Sequence, residues 1–200
     1  MARGPEGLTS SFSEAGYFKA AERAIEYVYA GDVFQVNLAQ RLLLPAEDDS
    51  VALYLRLRRC NPAPFAGYFD LGECQLLSAS PERFLSLVDG QVEARPIKGT
   101  RPRGDTPEGD SALARELSLS AKDRAENLMI VDLLRNDLGK VCVPGSIEVP
   151  GLFEIESFAT VHHLVSTVTG RVRDTCDALD LIEACFPGGS ITGAPKRRAM

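Results

Sequence analysis

Lys98 lies in the run Arg95-Pro96-Ile97-Lys98-Gly99-Thr100-Arg101-Pro102-Arg103-Gly104, where a lysine precedes a Gly-Thr turn and three arginines surround it. Such a cluster suits a small anionic ligand. An amine crowded by guanidinium groups and drawn out of water favours its neutral, nucleophilic form. Read by itself, Lys98 is a solvated strand-end lysine. Its neighbours shift that reading, because Pro96 restricts the backbone of Arg95 and Gly99 permits an unusual dihedral or a close ligand approach. A second candidate is Glu82 in Ser80-Pro81-Glu82-Arg83-Phe84. Its plain reading is a turn glutamate paired with Arg83. Its chemical reading is a general acid, which needs a carboxyl group of raised pKa in a dry site.

Three further runs carry groups of chemical interest. The stretch from Ala125 to Asp137 reads as a helix with acids on several faces. Glu126 and Asp137 come about 20° apart in rotation but about three turns apart along the axis, so they cannot share one metal. Acids on a helix are usually solvated. Glu126 could bind Mg²⁺ with help from other carboxylates, substrate oxygens or waters. His162 and His163 are adjacent on a predicted strand, so their rings face opposite sides and cannot form a two-histidine metal site. One faces a pocket and the other the core or solvent, and either could be structural. Phe186-Pro187-Gly188-Gly189-Ser190-Ile191-Thr192-Gly193-Ala194-Pro195-Lys196 is a Gly-rich turn whose backbone N–H groups favour an anion. It lacks the Gly-Lys-Ser/Thr order of a phosphate-binding loop.

These residues need elements to position them. Ser13 caps a predicted helix over 14–30, with Gly31 just past its end. Residues 33–44 alternate as a strand, a helix follows over 50–59, and Asn61-Pro62-Ala63-Pro64 forces a turn. Residues 66–98 read as several antiparallel strands, with Asp89-Gly90 as a hairpin signal. Thr106-Pro107-Glu108 opens one helical stretch and a longer helix covers 120–136. Strands are predicted over 141–149 and 160–173, and a helix over 177–185. Hairpins mixed with helices, without regular alternation, point to an α+β fold of antiparallel sheets with packed helices. Residues 1–12 read as a lead-in and 13–200 as one partial domain.

The chain of 200 residues has a net charge of -6, which argues against nucleic acid as a partner. No apolar run reaches the length of a membrane span, and the first residues lack the apolar segment of a signal peptide. The 5 cysteines are widely spaced with no Cys-x-x-Cys pair, so they read as reduced, mostly buried thiols of a cytoplasmic protein.

In order along the chain, Gly31-Asp32-Val33-Phe34-Gln35-Val36-Asn37-Leu38-Ala39-Gln40-Arg41, Ser80-Pro81-Glu82, Pro96-Ile97-Lys98-Gly99-Thr100-Arg101, the Ala125–Asp137 helix, His162-His163-Leu164-Val165-Ser166 and Gly193-Ala194-Pro195-Lys196 together resemble the chorismate-utilising enzymes. The resemblance covers residues 15–200. Within that family, the lysine at position 98 is similar to the branch that aminates chorismate at C4; the anthranilate-forming branch usually carries alanine there. The glutamine at position 35 is similar to the ammonia-using members, whereas members that add water carry lysine.

The resemblance implies a chorismate-binding fold and amination of chorismate to 4-amino-4-deoxychorismate, in para-aminobenzoate and folate biosynthesis. It implies Lys98 as nucleophile at C2 and Glu82 as the acid for the C4 hydroxyl. It also implies Mg²⁺ held partly by Glu126, with Gln35, Gly99, Thr100, His163 and Ser190 binding substrate. Ammonia is expected from a separate glutamine amidotransferase subunit. The family pattern extends beyond the matched segment at both ends. A chain truncated in this way is expected to leave sheet edges and apolar faces uncovered, with a marginal fold and little turnover. Two alternatives stay open: component I of an anthranilate synthase, and a non-catalytic remnant.

Overall fold

A computed structural model describes residues 2, 3 and 7–200; residues 1 and 4–6 of the lead-in lie outside the described residues. The first elements are strands β1 (Ala2–Arg3) and β2 (Thr9–Ser10), helix α1 (Glu14–Tyr29), strands β3 (Gln35–Val36) and β4 (Leu42–Leu43), helix α2 (Ser50–Cys60) and strands β5 (Phe65–Asp70) and β6 (Gln75–Ser80). Strands β7 (Ser86–Val88), β8 (Gln91–Ala94) and β9 (Ile97–Pro102) follow, then helices α3 (Pro107–Leu119) and α4 (Ala121–Leu138) and strands β10 (Glu148–Ser157) and β11 (Val161–Arg171). The chain closes with α5 (Ala178–Cys185), the short α6 (Gly189–Thr192), β12 (Gly193–Ala194) and α7 (Lys196–Ala199). Two units result, one of residues 1–81 and 190–200, the other of 82–189.

The second unit is a five-stranded sheet in the order β10-β11-β8-β7, with β9 also on β11. All of its pairings are antiparallel. Strands β8 and β9 are two halves of one run beside β11, Ala94 facing Val168 and Ile97 facing Val165. The break falls at Pro96, which has no N–H to give a ladder. Its carbonyl still accepts from Ser166 N at 3.2 Å. The β7–β8 hairpin turns on Asp89 and Gly90, with φ of 50° and 76° as a two-residue primed turn requires. Helices α3 and α4 pack on β9 and β11, and α5 packs on α4. Each helix start is capped: Thr106 accepts from Gly109 N, Ser120 from Asp123 N, and Asp177 forms a reciprocal box with Asp180. Val92, Ile130, Val131, Leu134, Leu138, Val168 and Leu181 build one apolar core between sheet and helices.

The first unit is packed differently. Among its described residues only Val33, Gly193 and Ala194 are buried. Helices α1 and α2 are capped by Ser13 and Asp49 but bury no residue. Phe18, Tyr29, Phe34, Leu44 and Phe69 are exposed.

Two expectations are corrected. The strand expected over 33–44 is only β3 and β4, because the run changes partners midway. Phe34 N and Asn37 N donate to Ala194 O and Thr192 O, whereas Ser11 N donates to Arg41 O. The strand expected over 141–149 begins only at Glu148, as the start of β10; before it lie a single bridge, Cys142 to Val172, and a turn. Pro144 withholds a donor there and Gly145 adopts φ of 81°.

The packing contrast predicts unequal mutational costs. Leu138→Ala, in the core of the second unit, should cost about 2–5 kcal/mol in urea unfolding. Leu55→Ala, on the exposed face of α2, should change stability by less than about 0.5 kcal/mol.

Candidate active site

Lys98 is held on a β-bulge. Between the pairs His163–Thr100 and Val165–Ile97, strand β9 has two residues, Lys98 and Gly99, opposite the single Leu164 of β11. A bulge bends its strand and re-aims a side chain. The strand runs through Gly99 and Thr100 to Pro102, so the Gly-Thr turn expected from the sequence is a bulge within a strand. Gly99 has φ of 93°, and a Cβ there would come within 2.9 Å of both Asp123 and Leu117. Glycine is therefore required by the dihedral and by the close approach of α3 and α4.

Glu82 lies in the loop between β6 and β7. Burial, the largest influence, raises its pKa; the Ile97 N–H, donating to Oε1 at 3.3 Å, and the charge of Lys98 both oppose this. The loop thus sets a partly desolvated carboxyl group close enough to feel the lysine. Arg83, next along the chain, forms an ion pair with Glu93 on β8.

The arginines around Lys98 are each engaged by acids. Arg95 pairs with Glu156, Arg101 with Glu116 at 2.9 Å and Asp123 at 3.2 Å, and Arg103 with Asp110 at 2.7 Å. The cluster that reads as an anion site in one dimension is charge-balanced by α3, α4 and β10 in three. Asp110 also accepts from Gly104 N and contacts His162 Nε2. The Arg103 guanidinium, first among these, holds the Asp110 carboxyl far below the usual range.

The two histidines do face opposite ways. His162 is buried, its Nδ1 against Ser157 Oγ at 2.7 Å and its Nε2 against Asp110 at 2.8 Å. His163 is half-buried, with Nδ1 against Thr100 Oγ1 at 2.8 Å and its ring 5.5 Å from that of Phe158. Burial lowers its pKa, with a smaller opposing influence from Glu156, so the neutral ring is favoured at neutral pH. Thr100 and His163 therefore form one polar pair on neighbouring strands.

Glu126 stands on α4 with 40% of its side chain exposed, 3.9 Å from Lys122. That loose pair leaves a hard oxygen donor to offer. Among the described residues no three metal-ligating side chains gather, so a cation held by Glu126 would draw its other ligands from substrate oxygens and waters. Such a donor set fits Mg²⁺, which keeps waters and binds through one or two carboxylates.

Gln35 and Ser190 belong to the first unit, whereas Glu82, Lys98, Gly99, Thr100, Glu126 and His163 belong to the second. In the first unit the motif around Gln35 meets the Gly-rich motif. Ala194 pairs with Gln35 and Gly193 with Val36. A Cβ on Gly193 would lie 2.2 Å from the Gln35 carbonyl oxygen, so this crossing admits only glycine. Ser190 sits half-buried in α6, just before that pairing.

Sequence reasoning missed Asn127 and Ser166, which are fully buried and hydrogen-bonded to each other. The only signal was a polar residue at each of two positions where a core-facing side chain was due.

A family model described as chorismate binding enzyme matches residues 2–200. Aminodeoxychorismate synthase component 1 of Salmonella typhimurium is 50% identical, over 99% of this chain and 44% of its own length. The protein of the same name from Bacillus subtilis is 46% identical, over 96% of this chain and 41% of its own length. The crystal structure of anthranilate synthase component I from Streptococcus pneumoniae superposes with a TM-score of 0.84 at 34% identity, covering 96% of this chain and 42% of that one. The chain thus spans less than half the length of these relatives.

Two outcomes follow from the geometry. Glu82 binds its proton more tightly folded than unfolded, so its contribution to stability is complete below the ordinary glutamate range of about 4.3. That contribution is lost as pH rises through the raised folded value. Glu82→Gln lacks this slope, so its urea midpoint should rise relative to the parent as pH increases from about 4. Gly99→Ala should lose about 1–3 kcal/mol from the dihedral alone in thermal unfolding.

Proposed function

This chain belongs to the chorismate binding enzyme family, and from that premise we propose that it carries the nucleophile and acid for amination of chorismate at C4. The product would be 4-amino-4-deoxychorismate, as expected of an aminodeoxychorismate synthase component I serving para-aminobenzoate synthesis. The observation that carries this reading is the partly buried Glu82, its pKa raised, beside Lys98 on its bulge.

In this reading the neutral amine of Lys98 forms a bond to C2 of chorismate while both ring double bonds shift and the C4–O bond breaks. Glu82 gives its proton to the departing hydroxyl, which leaves as water. Ammonia then adds at C4, both double bonds shift back and the C2–N bond to Lys98 breaks. The surplus proton of the added ammonium returns to Glu82. Splitting one displacement into two is the usual gain of a covalent intermediate. A carboxyl group of raised pKa is suited to this duty.

The other residues would bind and orient. Thr100 Oγ1 and His163, already paired at 2.8 Å, would present donors to a substrate carboxylate, together with the Gly99 backbone. Gln35 and Ser190 would also bind the substrate. Glu126 would supply one ligand to Mg²⁺, which when bound neutralises the ring carboxylate. Relatives named component 1 fit a two-component system. Ammonia would therefore come from a glutamine amidotransferase component, in the cytoplasm. No helix among the described residues is long and apolar enough to cross a membrane.

Chorismate, ammonium and Mg²⁺ should yield aminodeoxychorismate by mass. Lys98→Ala and Glu82→Gln should each lower the rate by about 10²–10⁴-fold. Anthranilate as product would replace this reading with the C2-aminating one. No product from folded protein would reject catalytic competence for this chain.

A further inference from the structure

We propose that Asn127 is a positioning residue for Glu126, fixing the rotation of α4 so that the carboxylate can meet Mg²⁺; this rests on the metal reading of Glu126 given above. Helix α4 is held by two different means along its length. From Ile130 onward its buried positions are mostly apolar, and they join the core. Before Ile130 its only buried residue is Asn127, which is wholly inaccessible. In the half of the helix that carries Glu126, Met129 packs partly buried against that core, but no apolar side chain takes a fully buried place.

Directional polar contacts take that place. Asn127 Oδ1 accepts from Ser166 Oγ at 2.6 Å, and its Nδ2 donates to Leu164 O at 3.3 Å. Ser166 Oγ in turn accepts from Phe153 N at 3.0 Å. One amide thus joins α4 to two positions on β11 and, through the hydroxyl, to Phe153 of β10. Hydrophobic packing is non-directional and tolerates small rotations, whereas a two-point amide contact in a dry site does not. Glu126 is the next residue, so its Cα moves with any rotation that the amide prevents. The same β11 segment presents His163, so metal and substrate groups would share one frame.

The test uses Mn²⁺ as a paramagnetic stand-in for Mg²⁺, with its affinity read from the free-ion EPR signal in the presence of chorismate. Asn127→Ala should weaken Mn²⁺ binding by about 10–100-fold, as loss of groups supporting a ligand commonly does. Ser166→Ala, which keeps the Leu164 bond, should weaken it less and serves if Asn127→Ala does not fold. Leu134→Ala, which opens a cavity farther along α4, should lower the unfolding temperature with Mn²⁺ affinity unchanged. The inference fails if Asn127→Ala and Ser166→Ala bind Mn²⁺ as the parent does while Glu126→Gln does not. It also fails if Leu134→Ala weakens binding equally, since the effect would then be general loosening. If Glu126→Gln leaves Mn²⁺ affinity unchanged, the metal reading itself is wrong and the inference falls with it.

Discussion

The antiparallel pairing of residues 91–102 with β11 is the constraint on which the second unit depends. It makes one long two-stranded core from segments about sixty to eighty residues apart, and every element of the second unit that carries a candidate residue refers to it. Pro96 interrupts the ladder without ending it, because the Pro96 carbonyl still accepts from Ser166. Two residues later the extra residue of the bulge turns Lys98 out of the regular pleat. A regular strand would give Lys98 a face fixed by simple alternation. The bulge frees it from that alternation, and Gly99 makes the bulge possible by admitting both its dihedral and the close approach of Asp123 and Leu117.

Charge is handled by neutralisation around this frame. The arginines on and beside β9 are met by acids on α3, α4 and β10, and Asp110 alone engages Arg103, Gly104 and His162. These contacts anchor the start of α3 to the sheet. They also leave the Lys98 neighbourhood without a large unbalanced positive field. The candidate chemistry then rests on the local pair of Lys98 and a partly desolvated Glu82 rather than on a basic patch. Burying a carboxyl group is unfavourable for its charged form, and that cost is what would make Glu82 useful as an acid.

The two units differ in what holds them. The second has a continuous apolar core, whereas the first leaves α1 and α2 with no buried side chain and many large apolar groups in solvent. In the first unit a crossing of segments distant along the chain is backbone to backbone, β12 on β3, made possible by Gly193. It is reinforced by Arg198, which pairs with Asp32 and lies over the Tyr27 ring at 4.7 Å. Two sequence motifs more than 150 residues apart thus become one short sheet.

Much of the local structure was legible in one dimension because its causes are local. Ser13 and Thr106 marked helix starts, Asp89-Gly90 marked a hairpin, and adjacent strand positions sent His162 and His163 to opposite faces. The family, the α+β class and the candidate residues Glu82, Lys98 and His163 could be named from ordered motifs alone. What the sequence could not determine depends on partners distant along the chain. The run 33–44 failed as one strand because its halves pair with segments near opposite ends of the chain. The arginines looked like an anion site until α3, α4 and β10 supplied their acids. Asn127 passed as one more polar helix residue until folding placed it against Ser166. Propensity and spacing act within a few residues; ion pairing, burial and the aim of a bulged side chain are decided only by which surfaces meet.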